Sequence, residues 1–100
     1  MAAKRVMHPL IDRHSGEIQA LADHHGIRDV RVFGSMARND ATDASDADFL
    51  VSLLPNKSGL ALGALLMDLQ DLLQRPVDVL TEPALHPRIR NRVLSEAVRL

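Results

Sequence analysis

Apolar residues recur along this chain with two periods, and these periods predict both helices and strands. Helical spacing of leucine, isoleucine, valine and alanine marks three segments, and short apolar runs mark three others. Gly26 ends the first helical segment, and Arg75-Pro76 ends the second. The predicted elements, in chain order, are a helix over 9–25, a strand over 27–34, a strand over 48–54, a helix over 58–74, a strand over 77–81 and a helix after Pro87.

The connections between the strands predict how they pair. A helix joins the second strand to the third, so we expect these two to be parallel neighbours. Only the short polar turn 36–45 joins the first strand to the second, so we expect these two to be antiparallel. The sequence therefore predicts a single α/β domain over 1–100, with a loose N-terminus over 1–8 and a small mixed sheet of three to four strands flanked by helices.

This topology brings polar residues from distant parts of the chain to one edge of the sheet. Gly34 and Ser35 follow the first strand. Asp46 and Asp48 begin the second strand, and Asp78 lies near the start of the third. The end of one antiparallel strand lies beside the start of the next, and a parallel neighbour starts at the same edge. We therefore expect one site there.

The acidic residues at this edge suit the binding of a metal ion. Asp46 and Asp48 are two positions apart, so on a strand both carboxylates project from the same face. Mg²⁺ binds one or two carboxylates together with substrate phosphates. Asp78 supplies a third carboxylate, which could complete a second metal site and accept a proton from an attacking hydroxyl.

The turn after the first strand suits a triphosphate. Gly34 lets the backbone approach a phosphate closely, and the Ser35 hydroxyl and the amides after it can donate hydrogen bonds to phosphate oxygens. Arg38 is a candidate counter-charge. Together with the carboxylates, these groups are the minimum equipment for moving a nucleotidyl group.

The acidic residues also have a purely structural interpretation. Asp and Asn are common in turns, so 39–48 could be no more than a solvated loop. A calcium-binding loop is excluded because no register places acids at its first, third and fifth positions before a glycine. Asp78 lies between two valines in a strand that we expect to be buried on both faces, where a carboxylate is costly unless it is paired or metal-bound. The structural alternative is that Asp78 faces solvent or pairs with an arginine.

The composition narrows the classes of function. A net charge of −1 and an aromatic content of 2% argue against a protein that coats DNA or RNA, which needs a basic surface and exposed rings. Cysteine is absent, which excludes disulfides and thiolate metal sites and fits a reducing cytoplasm. No signal peptide is visible, and the most apolar stretch, 60–73, carries acidic residues and does not predict a membrane span. We expect a cytoplasmic protein.

Three motifs resemble the nucleotidyltransferase superfamily of DNA polymerase β, whose signature is Gly-Ser, a short spacer, Asp-x-Asp and a later third carboxylate. The small size and the phrase Phe-Gly-Ser-x-Ala-Arg are similar to the minimal nucleotidyltransferases, called MNT proteins. Many of these act as antitoxins beside a HEPN-domain ribonuclease toxin. The resemblance covers residues 25–100. The matching runs are Val32-Phe33-Gly34-Ser35-Met36-Ala37-Arg38, Ser45-Asp46-Ala47-Asp48-Phe49-Leu50-Val51 and Val77-Asp78-Val79-Leu80.

The resemblance implies roles for the matching residues. Gly34 and Ser35 would bind the triphosphate, and Asp46 and Asp48 would hold Mg²⁺. Asp78 would serve both metal binding and activation of the acceptor. The implied reaction transfers AMP from ATP to a tyrosine hydroxyl of the toxin and releases pyrophosphate. Relatives often end the last helix with a tyrosine, whereas this sequence contains none. Self-modification on tyrosine is therefore impossible, and a tyrosyl acceptor must lie on a partner.

Two other functions stay open. One is a binding module that neutralises its toxin by masking it, and the intact carboxylates weigh against it. The other is transfer of a nucleotide to a small molecule, for which aminoglycoside-modifying relatives usually need an additional domain. The helix over 58–74 is apolar on more than one face, so part of it is a candidate partner surface. A homodimer stays open as well, and we expect direct binding neither to nucleic acid nor to membranes.

Overall fold

The computed structural model describes residues 7–100, in which four strands and five α-helices are found. A short 3-10 turn, Glu82–Ala84, precedes the last helix. Of the predicted loose N-terminus, residues 1–6 lie outside the described residues, and the His8 ring accepts a hydrogen bond from the Leu10 amide at the start of the first helix. The elements are α1 (Pro9–Arg13), α2 (Ser15–His24), β1 (Ile27–Phe33), α3 (Ser35–Arg38), β2 (Ala47–Leu53), α4 (Leu60–Leu73), β3 (Val77–Thr81), α5 (Pro87–Glu96) and β4 (Val98–Arg99).

The four strands form one mixed sheet in the order β3-β2-β1-β4. β1 and β2 are antiparallel and β2 and β3 are parallel, so both predicted pairings are confirmed. The fourth strand pairs with β1 in the antiparallel sense. The prediction of only a helix after Pro87 was wrong at its C-terminal end, because Val98 lies opposite Val32 and completes the sheet.

Two local predictions also differ from the structure. The single helix predicted over 9–25 is two helices, because the backbone at His14 leaves helical geometry and its ring bonds to the Leu10 carbonyl at 2.8 Å. The segment predicted as a plain turn after Gly34 begins with the one-turn helix α3. Neither difference moves the predicted site residues away from the sheet edge.

Helices cover both faces of the sheet. On one face, α2 and α4 pack against a core that contains Ile18, Phe49 and Leu69, each fully buried. On the other face, α5 packs through Val93 against Leu50. Alternate residues of a strand point to opposite faces, so Asp48 shares the α5 side of β2 with Leu50. None of the helices within residues 7–100 has the length and apolar character needed to cross a membrane.

Candidate active site

The strand register brings the predicted carboxylates together. Phe33, the last residue of β1, lies opposite Asp48 in β2, and Asp48 lies opposite Asp78 in β3. Asp46 lies in the loop one residue before β2 begins, so the regular alternation of a strand does not set its direction. The predicted convergence of Gly34, the Asp-x-Asp pair and Asp78 on one edge of the sheet is therefore what the backbone produces.

Gly34 is held in a conformation that only glycine adopts readily. Its φ is 71°, and a Cβ atom built on it would lie 2.6 Å from Oδ2 of Asp48. The backbone at the turn thus approaches the carboxylate without an intervening side chain. The turn and Asp48 form one surface, with the start of α3 on one side and β3 on the other.

An arginine that the sequence pattern treated only as a helix stop holds the loop before Asp46. Nη1 of Arg75 donates to the carbonyls of Ser45 at 3.1 Å and Thr42 at 3.3 Å. The Thr42 amide also donates to the Ser45 hydroxyl at 2.8 Å. Arg75 therefore ties residues 42–45 of the loop to the segment between α4 and β3, directly before Asp46.

The electrostatics of the site centre on Asp48. Partial burial, followed by the negative charges of Asp78, Asp46 and Glu96, raises the pKa of Asp48 to about 6, while Arg38 opposes the shift. Asp78 and Asp46 therefore both lie within electrostatic range of Asp48. Acids that repel one another in this way, with only oxygen donors, suit a hard divalent cation such as Mg²⁺.

Asp78 is exposed although Val77 and Val79 on either side of it are buried. The expectation that this strand is buried on both faces was therefore wrong, and the cost of burying a carboxylate gives no argument for a metal at Asp78. Asp46 is exposed as well. Within residues 7–100, no three His, Asp or Glu side chains lie close enough together to hold a metal ion as they stand. The donor set fits Mg²⁺ in chemistry, and Asp46 and Asp78 are open to solvent.

Arg38, the expected counter-charge, is already engaged by two carboxylates. Its Nε donates to Asp40 at 3.1 Å and its Nη1 donates to Glu96 at 2.8 Å. The hydrogen bond to Asp40 and the charges of Glu96 and Asp40 raise the pKa of Arg38. Glu96 also accepts a hydrogen bond from the Gly34 amide at 2.6 Å. No motif pointed to Glu96, because it approaches the site only through the junction of α5 and β4, and the sequence pattern did not separate these two elements.

Comparisons with known proteins agree with this geometry. A family model described as a nucleotidyltransferase domain matches residues 14–100. The chain belongs to this nucleotidyltransferase family. A candidate protein adenylyltransferase of Methanocaldococcus jannaschii is 43% identical over 74 residues, which are 74% of this chain and 80% of that protein. The protein adenylyltransferase MntA of Thermococcus cleftensis is 36% identical over 78 residues, which are 78% of this chain and 79% of that protein.

Solved structures show the same nucleotidyltransferase fold. The structure of a candidate minimal nucleotidyltransferase superimposes with a TM-score of 0.82 at 35% identity and covers 98% of this chain and 100% of that chain. A chain from the crystal structure of a toxin–antitoxin with AMP-PNP has a TM-score of 0.71 at 19% identity, covers 84% of this chain and 69% of that chain, and shares the fold. The predicted family, enzyme class and fold are confirmed.

Proposed function

We propose that this protein is a Mg²⁺-dependent adenylyltransferase that transfers AMP from ATP to a tyrosine hydroxyl of a partner HEPN-domain toxin, and so acts as its antitoxin. The observation that carries the proposal is the register that sets Asp48 between the Gly34 turn and Asp78. The names of the relatives as protein adenylyltransferases support the reaction. The structural likeness to a toxin–antitoxin with AMP-PNP is consistent with a toxin partner and with ATP as substrate.

Each site residue has a role in this proposal. Asp46, Asp48 and Asp78 would hold Mg²⁺, which when bound neutralises charge on the triphosphate and on the leaving pyrophosphate. Gly34 and Ser35 form the turn that receives the phosphates, and Arg38 places a positive charge beside it. These contacts hold the nucleotide in place, which is the larger part of catalysis in phosphoryl and nucleotidyl transfer.

The reaction exchanges one bond to phosphorus for another. The acceptor oxygen bonds to the α-phosphorus of ATP, the bond from that phosphorus to the bridging oxygen breaks, and pyrophosphate leaves with the electron pair. Asp78 accepts the proton of the acceptor hydroxyl. The exposure of Asp78 supports this role, because a side chain presented by another protein can reach it.

A partner protein supplies the acceptor in this proposal. These 100 residues contain no tyrosine. On α4, Leu60 is 84% exposed and Met67 is 59% exposed, which supports a contact surface for the partner on this helix. ATP, Mg²⁺ and such a partner would meet in the cytoplasm, where we place the reaction.

Transfer of label to the partner tests the proposal. The protein is incubated with Mg²⁺, ATP labelled at the α-phosphate, and the product of the neighbouring gene, which the proposal expects to be the toxin. Wild-type protein should label the toxin on tyrosine, and the Asp46→Ala/Asp48→Ala variant should not. The matched control is Glu17→Ala/Asp23→Ala, which removes two exposed carboxylates on α2, away from the site, and should label the toxin like wild type.

The same samples separate catalysis from masking. If wild-type protein leaves the toxin unlabelled while the Asp46→Ala/Asp48→Ala variant still neutralises it fully, the protein acts by masking, and the transferase proposal is wrong. If the variant loses both labelling and neutralisation but still binds the toxin, neutralisation depends on transfer.

A further inference from the structure

Glu96 joins two groups of the proposed phosphate site through one oxygen atom. Its Oε1 accepts hydrogen bonds from the Gly34 amide at 2.6 Å and from Nη1 of Arg38 at 2.8 Å. The side chain of Glu96 is only 19% exposed, whereas that of Arg38 is 49% exposed. This carboxylate therefore holds both donors at a fixed separation.

At Gly34, the Glu96 contact pairs a backbone amide of the turn. Asp48 Oδ2 lies where a Cβ atom would have to go, and Gly34 adopts a φ of 71°. Its amide has no other acceptor within residues 7–100, so removing the carboxylate would leave that N–H unpaired. Glu96 thus supplies the acceptor for this amide.

At Arg38, the Glu96 contact orients a long, flexible side chain. Asp40 accepts a hydrogen bond from Nε of Arg38, and Glu96 accepts one from Nη1. The third nitrogen, Nη2, has no hydrogen-bond acceptor in the part of the chain that the structure describes. A guanidinium fixed at two nitrogens loses less conformational entropy when it binds an anion through the third. The half-exposed Arg38 is in this way prepared to meet a phosphate.

The backbone that carries Glu96 is anchored beside the Gly34 turn. Glu96 ends α5, and the residues after it pair with β1, with Val98 opposite Val32 and the Leu100 amide donating to the Val30 carbonyl at 3.2 Å. β1 is the same strand that leads into Gly34. The backbone that carries Glu96 therefore cannot move away from the turn without breaking the pairing of β4 with β1. This anchoring supports a lasting contact between Glu96 and the turn.

We propose that Glu96 is a positioning residue for nucleotide binding, which sets the Gly34 amide and the Arg38 guanidinium in the arrangement that receives the triphosphate. The inference rests on the proposed function, because it assumes that a nucleoside triphosphate occupies this turn. What matters is that Glu96 places a hydrogen-bond-accepting oxygen atom at a fixed position, and its negative charge is not required. A glutamine can therefore replace the glutamate, whereas an aspartate, one methylene shorter, cannot.

Calorimetric titration with Mg²⁺ and AMP-PNP tests the inference. Glu96→Ala should raise the Kd about tenfold, because the Gly34 amide and Arg38 both lose the oxygen atom that positions them. Glu96→Gln should stay within about threefold of wild type, and Glu96→Asp should weaken binding although it keeps the charge. The matched control is Glu82→Ala, which removes another glutamate bound to an arginine, Arg90, at 2.7 Å but at the opposite edge of the sheet, and it should not change the Kd.

A double-mutant cycle with Arg38→Ala shows whether Glu96 acts through Arg38. The cost of Glu96→Ala should be smaller in the Arg38→Ala background than in wild type. Tighter binding by Glu96→Ala or Glu96→Gln means that Glu96 competes with the nucleotide, and an unchanged Kd in folded Glu96→Ala and Glu96→Asp means that it has no role; either overturns the inference alone. If wild-type protein binds no AMP-PNP, the proposed function falls, and the role of Glu96 with it.

Discussion

Among the single residues of the site, Gly34 has the least tolerance for change. Replacing it with alanine puts a methyl group against Asp48 Oδ2 in a backbone region that disfavours side chains. We expect Gly34→Ala to cost about 1–3 kcal/mol in the free energy of unfolding. We also expect it to slow transfer roughly a hundredfold, since a small displacement of the turn misplaces the phosphates. Chemical denaturation and the labelling assay measure the two effects.

Gly16→Ala is the matched control for this substitution. Gly16 lies in α2 with open space around its Cα, so a methyl group meets nothing within 4 Å. The change should stabilise the protein by about 0.5–1 kcal/mol and leave transfer unchanged, because alanine is the better helix former. A Gly34→Ala protein that is as stable and as active as wild type would contradict the account of the turn.

The raised pKa of Asp48 makes stability depend on pH in a defined direction. In the folded protein its pKa is about 6, against 3.8 for the unperturbed group, so folding favours the protonated form. Asp48 therefore costs nothing well below pH 3.8, and its penalty grows as the pH rises from 3.8 to about 6 and then stays constant. The full shift corresponds to about 3 kcal/mol, which solvent screening at this half-exposed group reduces to about 1 kcal/mol.

Asp48→Asn should accordingly stabilise the metal-free protein. In the presence of a chelator, we expect a gain of about 1 kcal/mol at pH 7.5 that vanishes near pH 3.5, measured by denaturant unfolding against wild type. Added Mg²⁺ should raise the stability of wild type more than that of the variant. Asp43→Asn, in the exposed loop before β2, controls for the substitution itself. A gain of the same size at both pH values would show that neither burial of the Asp48 charge nor repulsion from its neighbours is the source of the gain.

Some site residues could be predicted from the sequence and others could not, for a physical reason. Gly34 and Asp48 are visible because turn chemistry and spacing along a strand are local properties. Glu96 and Arg75 are not, because Glu96 reaches Gly34 across 62 residues and Arg75 reaches Ser45 across 30. Neither side chain forms a pattern with its neighbours in the chain. The sequence also could not indicate that Asp78 is exposed, since that depends on what covers the sheet above β3.

At the scale of the elements, α4 divides into a buried and an exposed face. Leu69 is fully buried against the sheet, whereas Leu60 is 84% exposed. Leu69→Ala should cost about 2–5 kcal/mol in the free energy of unfolding, because it leaves a cavity in the core. Leu60→Ala should cost under about 0.5 kcal/mol. Denaturant unfolding of the two variants checks this contrast, and similar costs for both would contradict the described packing.

The Leu60→Ala variant also tests the proposed partner surface on α4. If the exposed face of α4 contacts the toxin, Leu60→Ala should weaken toxin binding while leaving the protein as stable as wild type. A protein with unchanged toxin affinity would place the contact elsewhere.

The elements that the sequence predicted well are those bounded by local signals. Val77–Thr81 was predicted with its observed bounds because Pro76 stops the preceding helix and apolar residues follow. β4 was missed because two residues form a strand only through pairing with β1, which lies far away in the chain. The break at His14 was missed because the apolar spacing continues across it. Long-range pairing and single-residue departures are not encoded in periodicity.

For the whole molecule, the central claim is that the site completes its chemistry on another protein. The edge of the sheet brings together a turn, three carboxylates and an arginine, while the sequence contains no tyrosine to accept the nucleotide. Asp46 and Asp78 are open to solvent, as a site that meets a protein substrate requires. The proposed reaction takes place between two protein chains, and only an assay that contains both chains can test it.

The most direct measurement compares two radiolabelled forms of ATP. Each is incubated with Mg²⁺, the wild-type protein and the expected toxin, which is the product of the neighbouring gene. Label at the α-phosphate should appear on a toxin tyrosine, because AMP is transferred. Label at the γ-phosphate should appear only in released pyrophosphate. Label from the γ-phosphate on the toxin, or no label from either position, would contradict the account.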